Sequence, residues 1–118
     1  MLFRSQLVER AAARGVSVLA LTDHDDVGGL DEARRIAVEK NITFINGVEI
    51  SVSWRSQTLH ILGLGIDPKY SQLVEGLAAI RRGRAERASK IAAQLDKFGI
   101  HGSLEGAYAY AGNKGLIE

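Results

Sequence analysis

Apolar positions along this chain recur first at helical spacing and then at strand spacing, and the alternation repeats. Leu7, Val8, Ala11 and Ala12 fall on one helical stripe, and Gly15 follows Arg14 where a left-handed cap would close that helix. Residues 16–21, Val-Ser-Val-Leu-Ala-Leu, are short, β-branched and almost wholly apolar, as a strand covered on both faces should be. After Gly28 and Gly29, a second amphipathic helix is marked by Leu30, Ala33, Ile36 and Ala37. A second strand starts at residues 42–45 and is expected to end at Glu49, and a third to run from about Leu59 to Ile66. Strand, helix and strand in so few residues predict a right-handed parallel crossover, hence an α/β sheet or barrel of parallel strands with crossover helices.

Asp67 and Pro68 then read as the cap and first turn of a long helix. Its stripe is Leu73, Leu77, Ile80, Ala88, Ile91, Leu95 and Phe98, and Gly99 closes it. A last helical segment is expected from Ser103, with that serine as its cap and Glu105 in its first turn.

Composition narrows this picture without redirecting it. A chain of 118 residues, 46% hydrophobic and 25% charged, has enough apolar material for one modest core. A net charge of +1 gives no general attraction to nucleic acid or anionic lipid, so a basic recognition surface must be local. The absence of cysteine removes disulfides, thiolate ligands and thiol nucleophiles, and fits a reducing cytoplasm. No apolar run approaches the roughly 18 residues of a membrane span, so no membrane association is expected.

The candidate chemistry lies where strands end. The first strand runs into Thr22-Asp23-His24-Asp25-Asp26, a histidine set among three carboxylates. Glu49 sits between Val48 and Ile50, where an unpaired carboxylate would be costly to bury, and His60 lies early in the third strand. Imidazole and carboxylate are the ligands that Zn²⁺, Mn²⁺ or Fe²⁺ accept when no thiolate is present. Each residue also has a plainer reading: His60 as a hydrogen-bonded strand histidine, residues 22–25 as an acidic turn that caps a helix. In parallel α/β architectures the carboxyl ends of the strands gather at one face, and three such residues at three strands favour a metal site. Arg81, Arg82, Arg84 and Arg87 form the one basic cluster, readable as a phosphate contact or as a solvated helix face with i,i+4 pairs to Glu86 and Lys90. Trp54 and Tyr70 are open to two readings, base stacking or packing. His101, beyond Gly99, is not assigned to the site.

Three segments, residues 21–25 (Leu-Thr-Asp-His-Asp), 47–54 (Gly-Val-Glu-Ile-Ser-Val-Ser-Trp) and 60–67 (His-Ile-Leu-Gly-Leu-Gly-Ile-Asp), resemble successive motifs of the polymerase and histidinol phosphatase (PHP) metallophosphoesterases. Within that superfamily the likeness is to the bacterial group that hydrolyses nucleoside 3′,5′-bisphosphates and trims RNA from its 5′ end, and residues 81–107 resemble the helical insert of that group. The resemblance covers about residues 6–118.

It implies a distorted (β/α)₇ barrel with three divalent metals at its carboxyl-end face, Mn²⁺ first, with Zn²⁺ or Fe²⁺ as alternatives. By motif, His24, Glu49 and His60 become metal ligands, and Asp23 and Asp25 become carboxylates that orient the ligands. The metals would activate a hydroxide for in-line phosphoryl displacement without a covalent enzyme intermediate. Arg81 and Arg84 become candidate substrate contacts. The partner is then a nucleotide or an RNA 5′ end, with no protein partner and no membrane, and the location is cytoplasmic.

The Asp-x-His-x-His strand that opens the family pattern is not in this chain, nor are the later Arg-x-His and Asp-x-His segments, and the likeness stops at residues 115–118. The expectation is therefore an internal fragment, inactive alone, with residues 1–5 outside the family pattern, 6–68 a partial barrel and 69–118 an incomplete insert. The alternative is a non-catalytic PHP-like binding or structural module.

Overall fold

In the computed structural model, residues 3–112 are described, so Met1, Leu2 and the segment 113–118 where the likeness was expected to stop lie outside the described residues. The element order is α1 (Arg4–Ala13), β1 (Val18–Leu21), α2 (Leu30–Glu39), β2 (Thr43–Trp54), β3 (Gln57–Leu64), α3 (Ser71–Lys97) and α4 (Ser103–Ala111). The chain divides into two compact units, one up to Leu77 and one from Ala78, with the boundary inside α3.

In the first unit, Val8 of α1, Leu30, Ala33 and Ala37 of α2, Leu21 of β1 and Ile42 form one buried cluster. Ala11, Ala12, Leu19, Ile36, Phe44 and Ile66 pack around it. These are the stripes read from the sequence except for Leu7, which is exposed, and both helices end in the same way. Gly15 (φ 77°) follows α1, with its N–H bonded to Ala12 O and Val16 N–H bonded back to Ala11 O. Asn41 (φ 57°) does the same after α2, with Ile42 N–H donating to Ala37 O at 2.8 Å. In both, a left-handed residue satisfies the last carbonyls and turns the chain directly into the next strand.

β1 and β2 pair in parallel, Val18 opposite Thr43 through Leu21 opposite Asn46, with α2 as the crossover. β3 departs from expectation: it pairs antiparallel to β2, giving the order β1-β2-β3. The cause is the linker. Only Arg55 and Ser56 join the strands, both left-handed (φ 47° and 65°), and a two-residue loop of that kind makes a hairpin and cannot make a crossover. β2 accordingly runs through Glu49 to Trp54, so Glu49 lies inside the strand and does not end it. Asp67 caps a turn: its Oδ1 accepts from Lys69 N–H, and the first bond of α3 runs from Val74 N–H to Tyr70 O. The long helix therefore starts at Ser71, three residues after Pro68.

In the second unit, Gly99 (φ 81°) ends α3 with Ile100 N–H bonded to Leu95 O, as its position predicts. Ser103 is not the cap of α4. Gly102 (φ 72°) takes that place and accepts from Gly106 N–H, while Ser103 Oγ is buried without a hydrogen-bond partner among the described residues. No helix of the described residues is long and apolar enough to cross a membrane.

Candidate metal centre

Backbone register alone brings three of the predicted residues together. Beyond Leu21 the chain leaves β1 but returns to β2 at one parallel bridge, His24 opposite Glu49. Glu49 N–H donates to Asp23 O at 3.0 Å and Asp25 N–H donates to Glu49 O at 2.9 Å. On the other side of β2, Ser51 lies opposite His60. Alternation along β2 puts Glu49 and Ser51 on one face, so Glu49 and His60 are diagonal neighbours across the hairpin.

The side chains meet accordingly. His24 Nε2 is 3.1 Å from Glu49 Oε2, and His60 Nδ1 is 3.3 Å from Glu49 Oε1. The two rings lie edge to face with centroids 5.2 Å apart. One donor atom from each residue falls within 4.8 Å of the others, and the three are a quarter to under a half exposed. Each carboxylate oxygen thus faces a different imidazole, and a set of two nitrogens and a carboxylate matches the coordination preferences of Mn²⁺, Zn²⁺ or Fe²⁺.

The flanking aspartates have different surroundings. Asp25 is fully buried, with its backbone left-handed (φ 51°) and its Oδ1 accepting Ser51 N–H at 2.6 Å. That side-chain bond carries the β1–β2 ladder one step past the point where the backbone can supply it. Asp23 is half-exposed and turned toward α1, where Arg4 Nε donates to its Oδ2 at 2.8 Å. A guanidinium nitrogen of Arg4 also lies 3.5 Å from Asp26 Oδ2. The bond to Asp23 holds the Arg4 guanidinium above its ordinary value, opposed by desolvation.

Arg4 was missed in the sequence, where residues 1–5 fitted no pattern. Its partner is 19 residues away, and a lone arginine at a helix start carries no signal of such a contact. Its side chain crosses Gly29, where an added Cβ would run into the Arg4 Nε and Cδ atoms. Arg4→Ala is expected to lower stability by about 0.5–1 kcal/mol, as a part-exposed pair warrants, and Gly29→Ala to lower it similarly by displacing the same side chain. Urea denaturation of both variants and of the double variant measures this. Additive losses would show that the two positions act separately.

Arg81 and Arg84 lie in the second unit. Both are half-buried, and Arg84 and Arg87 border a cleft of about 200 Å³ floored by Ala88, Ile91, Leu95 and Leu104. His101 pairs with Asp96 at 3.2 Å on an exposed surface.

The PHP domain pattern matches residues 4–101. The chain belongs to the PHP domain family. This PHP chain is 50% identical over 113 residues to a 3′,5′-nucleoside bisphosphate phosphatase of Chromobacterium violaceum, covering 96% of this chain and 40% of that protein. It is 44% identical over 110 residues to a 5′-3′ exoribonuclease of Haemophilus influenzae, covering 91% of this chain and 39% of that one. A solved structure, an amidohydrolase from Chromobacterium violaceum with bound sulfate and no metal, superposes with a TM-score of 0.90 at 49% identity, over 99% of this chain and 41% of that one. The PHP chain therefore spans about 40% of the length of the curated relatives it matches. The two relatives named, a phosphatase and an exoribonuclease, are both hydrolases.

Proposed function

We propose that this chain forms part of the catalytic centre of a cytoplasmic, metal-dependent phosphoesterase acting on nucleotides, either nucleoside 3′,5′-bisphosphates or RNA 5′ ends. The observation that carries the reading is the convergence of His24, Glu49 and His60 within 4.8 Å at the carboxyl-end side of a parallel strand pair. These three would hold the metal, Mn²⁺ by preference. A divalent cation held there supplies charge neutralisation to phosphoryl oxygens and lowers the pKa of a coordinated water.

The chain's own residues position that chemistry. Glu49 offers its two oxygens in two directions. Asp25 fixes the β2 backbone at Ser51, and Asp23 ties the His24 turn to α1 through Arg4. In this reading residues 6–68 belong to the barrel and 69–118 to a helical insert, from which Arg81 and Arg84 would meet substrate phosphate. The barrel itself, as (β/α)₇, is part of the proposal. The relatives' enzyme names weigh against a non-catalytic module.

Three donors on one side of an open three-stranded sheet suit weak metal binding, and little turnover is expected of this chain by itself. The test is a chimera in which residues 4–112 replace the matching stretch of the Chromobacterium violaceum relative. With Mn²⁺, the chimera should hydrolyse adenosine 3′,5′-bisphosphate, and His24→Ala should slow it by about a hundredfold or more. An unchanged rate in the variant would refute the role of His24.

A further inference from the structure

β2 does not stop at the metal centre. It continues five residues past Glu49 to Trp54, and β3 returns beside it, so a two-stranded arm extends beyond the site on the carboxyl-end side of β1. Two unusual features coincide at its tip. Trp54, the only tryptophan in the chain, is 62% exposed with the Arg55 guanidinium over its ring at 5.5 Å from the centroid. Arg55 and Ser56 are both left-handed, a turn that Asn-Gly makes at low strain and that an arginine makes only at a cost. A large aromatic left in solvent and a strained basic residue beside it are both unfavourable for folding. Strain held at one point is a reason to look there for function.

We propose that Trp54 and Arg55 form a stacking platform for single-stranded RNA entering the metal centre; the choice of RNA rests on the function proposed above. Indole faces stack bases without regard to sequence, and an adjacent guanidinium adds a phosphate or cation–π contact. Strand alternation turns Trp54 to the face opposite Glu49, so the RNA crosses the end of the arm over the Arg55–Ser56 turn. Five residues at about 3.3 Å each separate tip and site by roughly 16 Å, the length of about three to five nucleotides. A mononucleotide at the metal centre therefore does not reach the platform, and an oligonucleotide does.

The single tryptophan makes the test direct. Fluorescence of the 118-residue chain with Mn²⁺ should be quenched on titration with single-stranded octaadenylate and left unchanged by adenosine 3′,5′-bisphosphate. Trp54→Ala should weaken octaadenylate binding about tenfold, measured by anisotropy of a labelled oligonucleotide, with Trp54→Phe largely restoring it. Arg55→Gly should separate strain from function: its melting temperature should rise while its affinity for octaadenylate falls. Unchanged fluorescence on oligonucleotide binding, or full affinity in Trp54→Ala or Arg55→Gly, overturns the platform. In the chimera described above, Trp54→Ala should leave hydrolysis of adenosine 3′,5′-bisphosphate intact. Loss of that activity in the Trp54 variant would also overturn the platform, whereas an inactive parent chimera that still binds octaadenylate through Trp54 would overturn only the function proposed for the metal centre.

Discussion

Replacing Glu49 with glutamine is expected to lower Mn²⁺ affinity by about a hundredfold or more while leaving the fold intact. Glu49 presents one carboxylate oxygen to each of the others, Oε2 toward His24 and Oε1 toward His60. The amide keeps the shape of the carboxylate but loses its charge, and one of its two ends becomes a donor that cannot ligate. Loss of a carboxylate that merely supports a ligand costs 10–100-fold in metal affinity, and loss of a shared ligand should cost at least the upper figure. The backbone bonds that hold residues 23–25 to β2 run through Glu49 N and O and are untouched by the substitution. Isothermal titration with Mn²⁺, alongside thermal melts without metal, separates the effects. A drop in melting temperature with unchanged affinity would mean that Glu49 serves the fold and not the metal.

What the sequence revealed of this site followed the range over which its signals act. The stripes of α1 and α2 were legible because Val8, Ala33 and Ala37 recur at the helical period and Gly15 marks the end of α1, whereas the left-handed Asn41 after α2 carried no signal that was read. Parallel pairing of β1 with β2 followed from the helix between them. His24, Glu49 and His60 were legible as a group, because each is a metal-capable side chain beside an apolar run.

The direction of β3 was hidden because Arg55-Ser56 lacks the usual hairpin signature, although the alternation Ile50, Val52, Trp54 already implied that β2 continues past Glu49. His60, the third residue of the cluster, therefore reaches the site by a hairpin and not by a crossover. That changes the geometry from three parallel strand ends to a parallel bridge on one side of β2 and an antiparallel diagonal on the other. Gly47 shows a constraint that no single-sequence pattern could supply. A Cβ there would stand 2.7 Å from both Leu21 O and Thr22 Cγ2, so glycine is needed where β1 turns away toward His24. Ser103 misled for the opposite reason: it has the right chemistry for a cap, but the left-handed Gly102 already takes the capping position.

Asp25 links the fold to the site, and its removal should have the largest effect on stability. Asp25→Ala is expected to destabilise the chain by about 2–5 kcal/mol, and Asp25→Asn by much less. Two terms add in the alanine variant. Ser51 N–H loses a 2.6 Å acceptor beside a fully buried residue, and an unsatisfied buried donor costs about 1–3 kcal/mol. The position is also left-handed, which costs alanine about 1–2 kcal/mol and asparagine less. Asparagine retains a carbonyl oxygen for Ser51, so its loss measures the charge and not the hydrogen bond. If Asp25 were only a helix cap at an acidic turn, Asp25→Ala would lose only about 1 kcal/mol and Asp25→Asn almost nothing. Because Ser51 lies opposite His60 and two residues from Glu49, the alanine variant should also bind Mn²⁺ more weakly at temperatures where it remains folded. Folded Asp25→Ala protein with parental Mn²⁺ affinity would show that the buried carboxylate stabilises the sheet without orienting the ligands.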